Sequence, residues 1–288
     1  MLRSLRFVFQ SALAAFPLIA VNATEGVAQD VQSFGVVSGQ SLTNTGPTTI
    51  VGNIAVSPGT SFTGSGSVTQ TGETFLGDAV AIRIQDDLTT LYMFLASRPT
   101  SSGGNLSGQD LGGMTLMPGV YNFDSSANLA SGQTLTLDGA GDPNAVFVIN
   151  IGTTLTAGSG SSVVLQNGAQ GGNVFYRVGS SATLDTEASL QGQIVALSSI
   201  TMNTTAALGC GAVLARNGSV TLDTNTIGIC DLNGAGFADV LPPVVSGPVS
   251  PNPVEPGPVA STPVVTVTQQ SLIMALTKYR DGGGSLPV

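Results

Sequence analysis

Thr183-Leu184-Asp185-Thr186, Thr201-Met202-Asn203-Thr204 and Thr221-Leu222-Asp223-Thr224 are one phrase written three times, 18 and then 20 residues apart. A looser copy is Thr154-Leu155-Thr156, and a degraded one is Asn128-Leu129-Ala130. In each strict copy one apolar residue stands between two polar ones, the period of a strand with a buried face and a wet face. A strand that returns at such intervals is one side of a coil in a β-solenoid. Stacked coils would bring the polar residues into a regular two-column array, with Leu155, Leu184, Met202 and Leu222 turned into the core.

The same order of parts recurs along the chain. Phe34-Gly35-Val36-Val37, Ser41-Leu42-Thr43-Asn44 and Ile50-Val51-Gly52-Asn53-Ile54-Ala55-Val56 match Val174-Phe175-Tyr176-Arg177-Val178, Thr183–Thr186 and Leu190-Gln191-Gly192-Gln193-Ile194-Val195-Ala196. The order is an apolar strand, a Gly/Ser corner, the polar-apolar-polar strand, and Leu or Ile before a second Gly corner. This predicts a mainly β, three-sided solenoid with glycine at the tight corners. Two further coils carry the order within 145–165 and 194–227.

One stretch breaks the strand pattern. Leu76, Val80, Ile84, Leu88, Leu91 and Leu95 are spaced by threes and fours, with Asp86 and Asp87 off the stripe. The spacing predicts an amphipathic helix of about seven turns over 73–98, ended by Pro99 and packed on a flank of the solenoid.

The termini differ from this domain, which is expected over 29–235. Arg3 and Arg6 precede an apolar stretch, Phe7 to Val21, and small-residue cleavage sites at Val21-Asn22-Ala23 or Gly26-Val27-Ala28. Residues 1–28 therefore read as a secretory signal peptide, and the protein as secreted. No later segment has the roughly 18 apolar residues of a membrane span. Residues 236–288 read as an extended, Pro-rich tail, with eight prolines between Leu241 and Val265.

Composition narrows the function. Eight Lys and Arg among 288 residues, with a net charge of −9, exclude a basic nucleic-acid surface. With no histidine, the Ser-His-Asp and Cys-His arrangements are excluded. A paired-carboxylate hydrolase would have to draw on Asp185, Glu187 and Asp223, yet Asp185 and Asp223 sit at a recurring position that Asn203 and Thr156 fill elsewhere. Arg177 and Arg216 stand in different repeat contexts and suggest no acid-base pair. Asp138 and Asp142 lack the spacing of a helical calcium loop and read as turn residues. No metal site, cofactor or catalytic residue is expected. The two cysteines, Cys210 and Cys230, lie one repeat apart and could form a disulfide between adjacent coils or remain buried thiols.

What remains is the threonine array. Strands about 4.8 Å apart, with same-face residues about 6.7 Å apart along each, make a near-rectangular grid. Threonine is stiff at χ1 and shows a methyl beside a hydroxyl. It is also simply a good strand residue, so the column, and not any single threonine, carries the functional reading.

Further phrases are Ser41-Leu42-Thr43-Asn44-Thr45-Gly46-Pro47, Gly52 to Gly59, Asp87-Leu88-Thr89-Thr90, Pro118-Gly119-Val120-Tyr121, Gly141 to Phe147, Asn167-Gly168-Ala169-Gln170, Val178 to Leu184, and Leu214 to Leu222. Taken in this order, they resemble the secreted ice-binding (antifreeze) proteins. The resemblance covers about 34–230. It implies a right-handed β-solenoid with discontinuous coil order and a long helix alongside. It also implies a flat face that binds ice through Ser41, Thr43, Ser61, Thr63, Asn128, Thr154, Thr156, Thr183, Asp185, Thr201, Asn203, Thr221 and Asp223. The expected partners are the ice surface and ordered water, and the expected state is monomeric. The competing readings are a carbohydrate-binding or adhesive surface module and a polysaccharide-cleaving solenoid. A chain with only 5% aromatics offers few rings to stack on sugars.

Overall fold

A computed structural model describes residues 31–230; the expected signal peptide and Pro-rich tail lie outside them. The first coil is β1 (Phe34–Ser38), β2 (Ser41–Thr45) and β3 (Thr48–Val51). The second is β4 (Asn53–Val56), β5 (Ser61–Thr63) and β6 (Val68–Gln70), and β7 (Thr74–Leu76) begins a turn that the helix α1 (Ala79–Ser97) interrupts. After β8 (Thr115–Leu116) come β9 (Gly119–Phe123), β10 (Ala127–Leu129) and β11 (Thr134–Asp138), then β12 (Phe147–Ile151), β13 (Leu155–Ala157) and β14 (Ser162–Gln166). The last coils are β15 (Val174–Val178), β16 (Ala182–Leu184) and β17 (Ser189–Leu190); β18 (Gln193–Ala196), β19 (Ile200–Met202) and β20 (Ala207–Leu208); and β21 (Val213–Ala215), β22 (Val220–Asp223) and β23 (Thr226–Gly228).

These strands form three parallel sheets. Sheet A runs β7-β4-β1-β21-β18-β15-β12-β9, sheet B runs β10-β13-β16-β19-β22-β2-β5, and sheet C runs β6-β3-β23-β20-β17-β14-β11-β8. The stack is not sequential: the first coil lies on the last, with β1 paired to β21, β2 to β22 and β3 to β23. The mainly β solenoid and its discontinuous order are as expected.

The core follows from the alternation. Leu42, Leu155, Leu184, Met202 and Leu222 of sheet B are buried inside the prism, where Ile50, Ile54, Phe147, Ile194 and Ile227 meet them in one cluster. Corners require close backbone approach. A Cβ on Gly39 would come within 2.6 Å of the Arg216 carbonyl oxygen in the next coil, so only glycine fits.

The helix corrects the sequence reading at its start. Thr74–Leu76 is a strand paired with β4, not the first helical turn over 73–78, and Leu76 is exposed. Asp78 caps the helix, its carboxylate accepting the Ala81 N–H at 2.8 Å. Leu76 matched the helical spacing only because alternate strand residues and helical ones share some intervals. Asp87, expected off the stripe, is also buried. Burial pushes its carboxyl above the usual range, with Arg83 opposing at 3.9 Å and Asp86 reinforcing.

Nineteen helical residues span about 28 Å, close to the roughly 34 Å height of an eight-stranded sheet. The helix therefore carries the chain from the β7 end of the stack back toward the β9 end. Ala81, Ile84, Leu88, Leu91 and Leu95 pack on Val37, Ala55, Val148, Phe175, Val195 and Leu214 of sheet A. Polar contacts fix its register: Arg216 Nε donates to Thr89 Oγ1 at 2.7 Å, Arg177 lies 4.3 Å from the Tyr92 ring centroid, and Asn150 donates to the Leu95 carbonyl.

The two ends of the stack differ. Residues 101–113 cover one, with Ser101, Leu106 and Leu111 N–H groups donating to Val120, Asn122 and Asn128 carbonyls. At the other, Gln70 stands opposite Ile50 and Thr74 opposite Ile54. Thr74 donates to Gln70 Oε1 at 3.0 Å. Polar residues thus replace the buried isoleucines in the terminal coil, as solubility of a solenoid end requires.

Candidate functional site

Sheet A lies beneath the helix, so the open surfaces are sheets B and C. On sheet B the register gives one continuous ladder: Asn128, Thr156, Thr183, Thr201, Thr221, Thr43 and Thr63. Each is half-buried or exposed; from Asn128 to Thr221 each is flanked on both sides by buried apolar residues, whereas Thr43 stands between Leu42 and buried Asn44.

The ladder corrects the pairing drawn from the repeat phrases. Thr156 is in register with Thr183, not with Asp185. Thr154 therefore belongs to the rank two residues before the threonine ladder, while Asp185, Asn203 and Asp223 belong to the rank two residues after it. The face has three ranks, where two columns were expected. The first rank contains Thr154, Ser41 and Ser61, and also Ser181, Ser199 and Ser219, which sequence reasoning missed. Its members touch: Ser41 and Ser219 hydroxyls are 2.9 Å apart, and Ser181 and Ser199 Oγ accept N–H groups of Ser199 and Ser219 at 3.3 and 3.2 Å. The signal was present, since Ser stands two residues before the first Thr of every strict phrase.

The acids of the third rank are tied to neighbours. Asp185 accepts from the Asn203 amide at 2.9 Å. The Asp223 carboxylate accepts from the hydroxyls of Thr204 and Thr224, at 2.5 and 3.0 Å. Of the carboxylates considered for hydrolysis, Asp185 and Asp223 are thus members of a repeating polar rank, and Glu187 lies beyond it in the following turn, at φ 61°. Arg177 and Arg216 lie in the helix dock. At the ladder's end Asp110 bridges to Asn128 and accepts its amide. Burial opposes ionisation of Asp110, but the Gly112 and Ala130 N–H groups and the Asn128 amide outweigh it and hold the carboxyl below the usual range.

Sheet C also has a small-residue ladder: Thr69, Thr49, Thr226, Ala207, Ser189, Ser162 and Thr134. Its neighbouring rank is mixed, however, with Val51 and Val164 exposed and Gln191 between them. Sheet B alone keeps small polar residues across adjacent ranks, and no aromatic side chain occupies its outward positions in the ladder.

Other candidates resolve locally. Asp138 accepts the Ala140 N–H and the Asn167 amide, and Asp142 accepts the Asn144 N–H, so both hold turns. Cys210 and Cys230 form a disulfide. Among the described residues there is no cluster of three or more metal-ligating side chains, and no helix is long and apolar enough to cross a membrane.

A helix-buttressed parallel solenoid that displays a flat, small-hydroxyl sheet defines a class of surface-binding scaffolds built without a pocket. Residues 36–228 match the ice-binding-like family, and the chain belongs to it. It is 46% identical over 216 residues to an ice-binding protein of Nostoc sp. (strain HG1), covering 75% of this chain and 78% of that protein. Two crystal structures are similar. One, an ice-binding protein from an Antarctic biological consortium, has a TM-score of 0.68 at 38% identity, over 80% of this chain and 96% of the other. The second, from the Antarctic ascomycete Antarctomyces psychrotrophicus, has a TM-score of 0.67 at 36% identity, over 71% and 98%.

Proposed function

We propose that this protein adsorbs to ice through the outward residues of sheet B and so restrains ice growth and recrystallisation. The observation that carries the reading is the in-register ladder from Asn128 to Thr63, with serine and Asp/Asn ranks beside it. Coils stacked about 4.8 Å apart hold hydroxyls and methyls at fixed intervals. A rigid face orders a layer of water without first having to order itself, so many weak contacts add with little entropic cost. The ordered layer merges with the crystal, growth between anchored molecules is forced to curve, and the local freezing point falls. No bond is made or broken, and no enzymatic role is assigned to the carboxylates.

The protein acts outside the cell in this reading. The disulfide between adjacent coils agrees with an oxidising compartment. A monomer suffices, because one face supplies the whole array.

Thr201 is at the centre of the ladder, and its side chain leaves the core untouched. Thr201→Tyr should keep the melting temperature within about 2 °C yet abolish faceting of a single ice crystal grown in dilute protein. Crystals that still grow faceted would reject sheet B as the contact face. Binding of the parent protein to insoluble polysaccharide, without partition into ice, would favour the carbohydrate-binding module instead.

A further inference from the structure

Two asparagines stand on the outward ranks of sheet B, and each is held in the same way. Asn128 ends the threonine ladder, and its amide nitrogen donates to Asp110 Oδ2, 18 residues earlier in the chain. Asn203 lies in the third rank, and its amide donates to Asp185 Oδ1 at 2.9 Å, also 18 residues earlier. In both pairs the aspartate comes from the adjoining layer of the stack.

An asparagine on this face carries a freedom that threonine lacks. Threonine is stiff at χ1. The asparagine amide turns about a broad, roughly two-fold χ2, and it shows water either two donors or an acceptor. A rung that must order itself on contact adds an entropic cost to adsorption. Asp110 removes that freedom at Asn128. Its Oδ1 accepts the Gly112 N–H at 2.7 Å and the Ala130 N–H at 3.1 Å, so backbone from the covering segment and from the end of β10 fixes the carboxylate itself. Oδ2 is left for Asn128. An ionised carboxylate only accepts hydrogen bonds, so the Asn128 amide nitrogen is turned toward Asp110 and its carbonyl oxygen is turned away. Asn128 is exposed, which leaves that oxygen to the water over the sheet.

We propose that Asp110 is a positioning residue of the ice face: it sets the orientation of Asn128, so that the ladder presents a fixed acceptor at its last rung, as Asp185 does for Asn203 one rank away. The proposal rests on the reading of sheet B as the contact face and deepens it, by naming a residue outside the strands of that sheet on which the face depends.

Asp110→Asn separates positioning from a structural role. Its carbonyl oxygen can still take both backbone N–H groups, but an amide nitrogen then faces Asn128, which has to turn its own amide over. The melting temperature should fall by no more than about 4 °C, while the concentration needed to stop recrystallisation should rise by about 2–10-fold, the worth of one hydrogen bond. In an Asn128→Thr background the rung is stiff by itself, so adding Asp110→Asn should change neither that concentration nor the fraction taken into slowly growing ice. An Asp110→Asn variant that performs like the parent overturns the proposal. So does a double variant that falls as far below Asn128→Thr as Asp110→Asn falls below the parent, because Asp110 would then act without Asn128. Nuclear magnetic resonance of the parent supplies a check that needs no variant: the Asn128 side-chain amide hydrogens should lie against Asp110 and be protected from exchange, and rapid exchange would overturn the assignment. A parent that fails to enter ice, or a Thr201→Tyr variant that still enters it, defeats the sheet B reading and this inference with it.

Discussion

Tyr176 offers a substitution that should stabilise the protein by removing an atom. It lies inside the prism on β15, between Ile149 of β12 and Ile194 of β18, and is 1% exposed. Its hydroxyl has no hydrogen-bond partner among the described residues. A buried, unpartnered polar group costs about 1–3 kcal/mol in lost hydration, and phenylalanine fills almost the same volume without it. At about 2–4 °C per kcal/mol for a domain of this size, Tyr176→Phe should raise the melting temperature by about 2–12 °C. The pH dependence gives an independent reading. Burial pushes the phenol well above its ordinary value near 10. The folded state then holds this proton more tightly than the unfolded chain. Its stabilising effect is complete below about pH 10 and is lost as pH rises above that value. Calorimetry across that range should show a shallower alkaline decline in the variant. A melting temperature equal to or below the parent's would refute the reasoning, since it would mean that the hydroxyl is satisfied in the core.

Two other outcomes follow from the fold. The Cys210–Cys230 disulfide closes a loop with a sequence separation of 20 residues. In the chain-entropy account its loss in Cys210→Ser/Cys230→Ser should therefore cost about 3 kcal/mol, read as a melting temperature lower by about 6–12 °C; an unchanged value would reject the account. Gln70→Ile/Thr74→Ile should turn the terminal coil into an apolar end that associates with a second copy, seen as concentration-dependent mass in sedimentation. A variant that stays at the parent's mass would show that this polar pair is not what keeps the end soluble.

Sheet B was legible because its polar-apolar-polar strand is short, repeated and bounded by corner residues. The strict phrases at Thr183, Thr201 and Thr221 needed no structure to be aligned. The phrase at Thr154 did, because polar residues stand on both sides of the true ladder position and the sequence gives no mark of which one pairs. Ser181, Ser199 and Ser219 escaped notice for a related reason: a corner serine is ordinary, and only the register turns it into a rank. The helix start was misplaced where Leu76 satisfied two periods at once. Coil order came from family resemblance alone, since sheet neighbours separated by nearly the whole domain leave no local trace.

That coil order governs when the face can exist. Ser41 touches Ser219 across 178 positions of sequence, so the first-made coil has no neighbour on one side until the last-made coil arrives. A ribosome would release most of the domain before Thr43 could join Thr221. Assembly therefore depends on a late, long-range closure, which is slow by topology. A chain cut short before residue 220 would be missing the course of masonry that joins its two blocks.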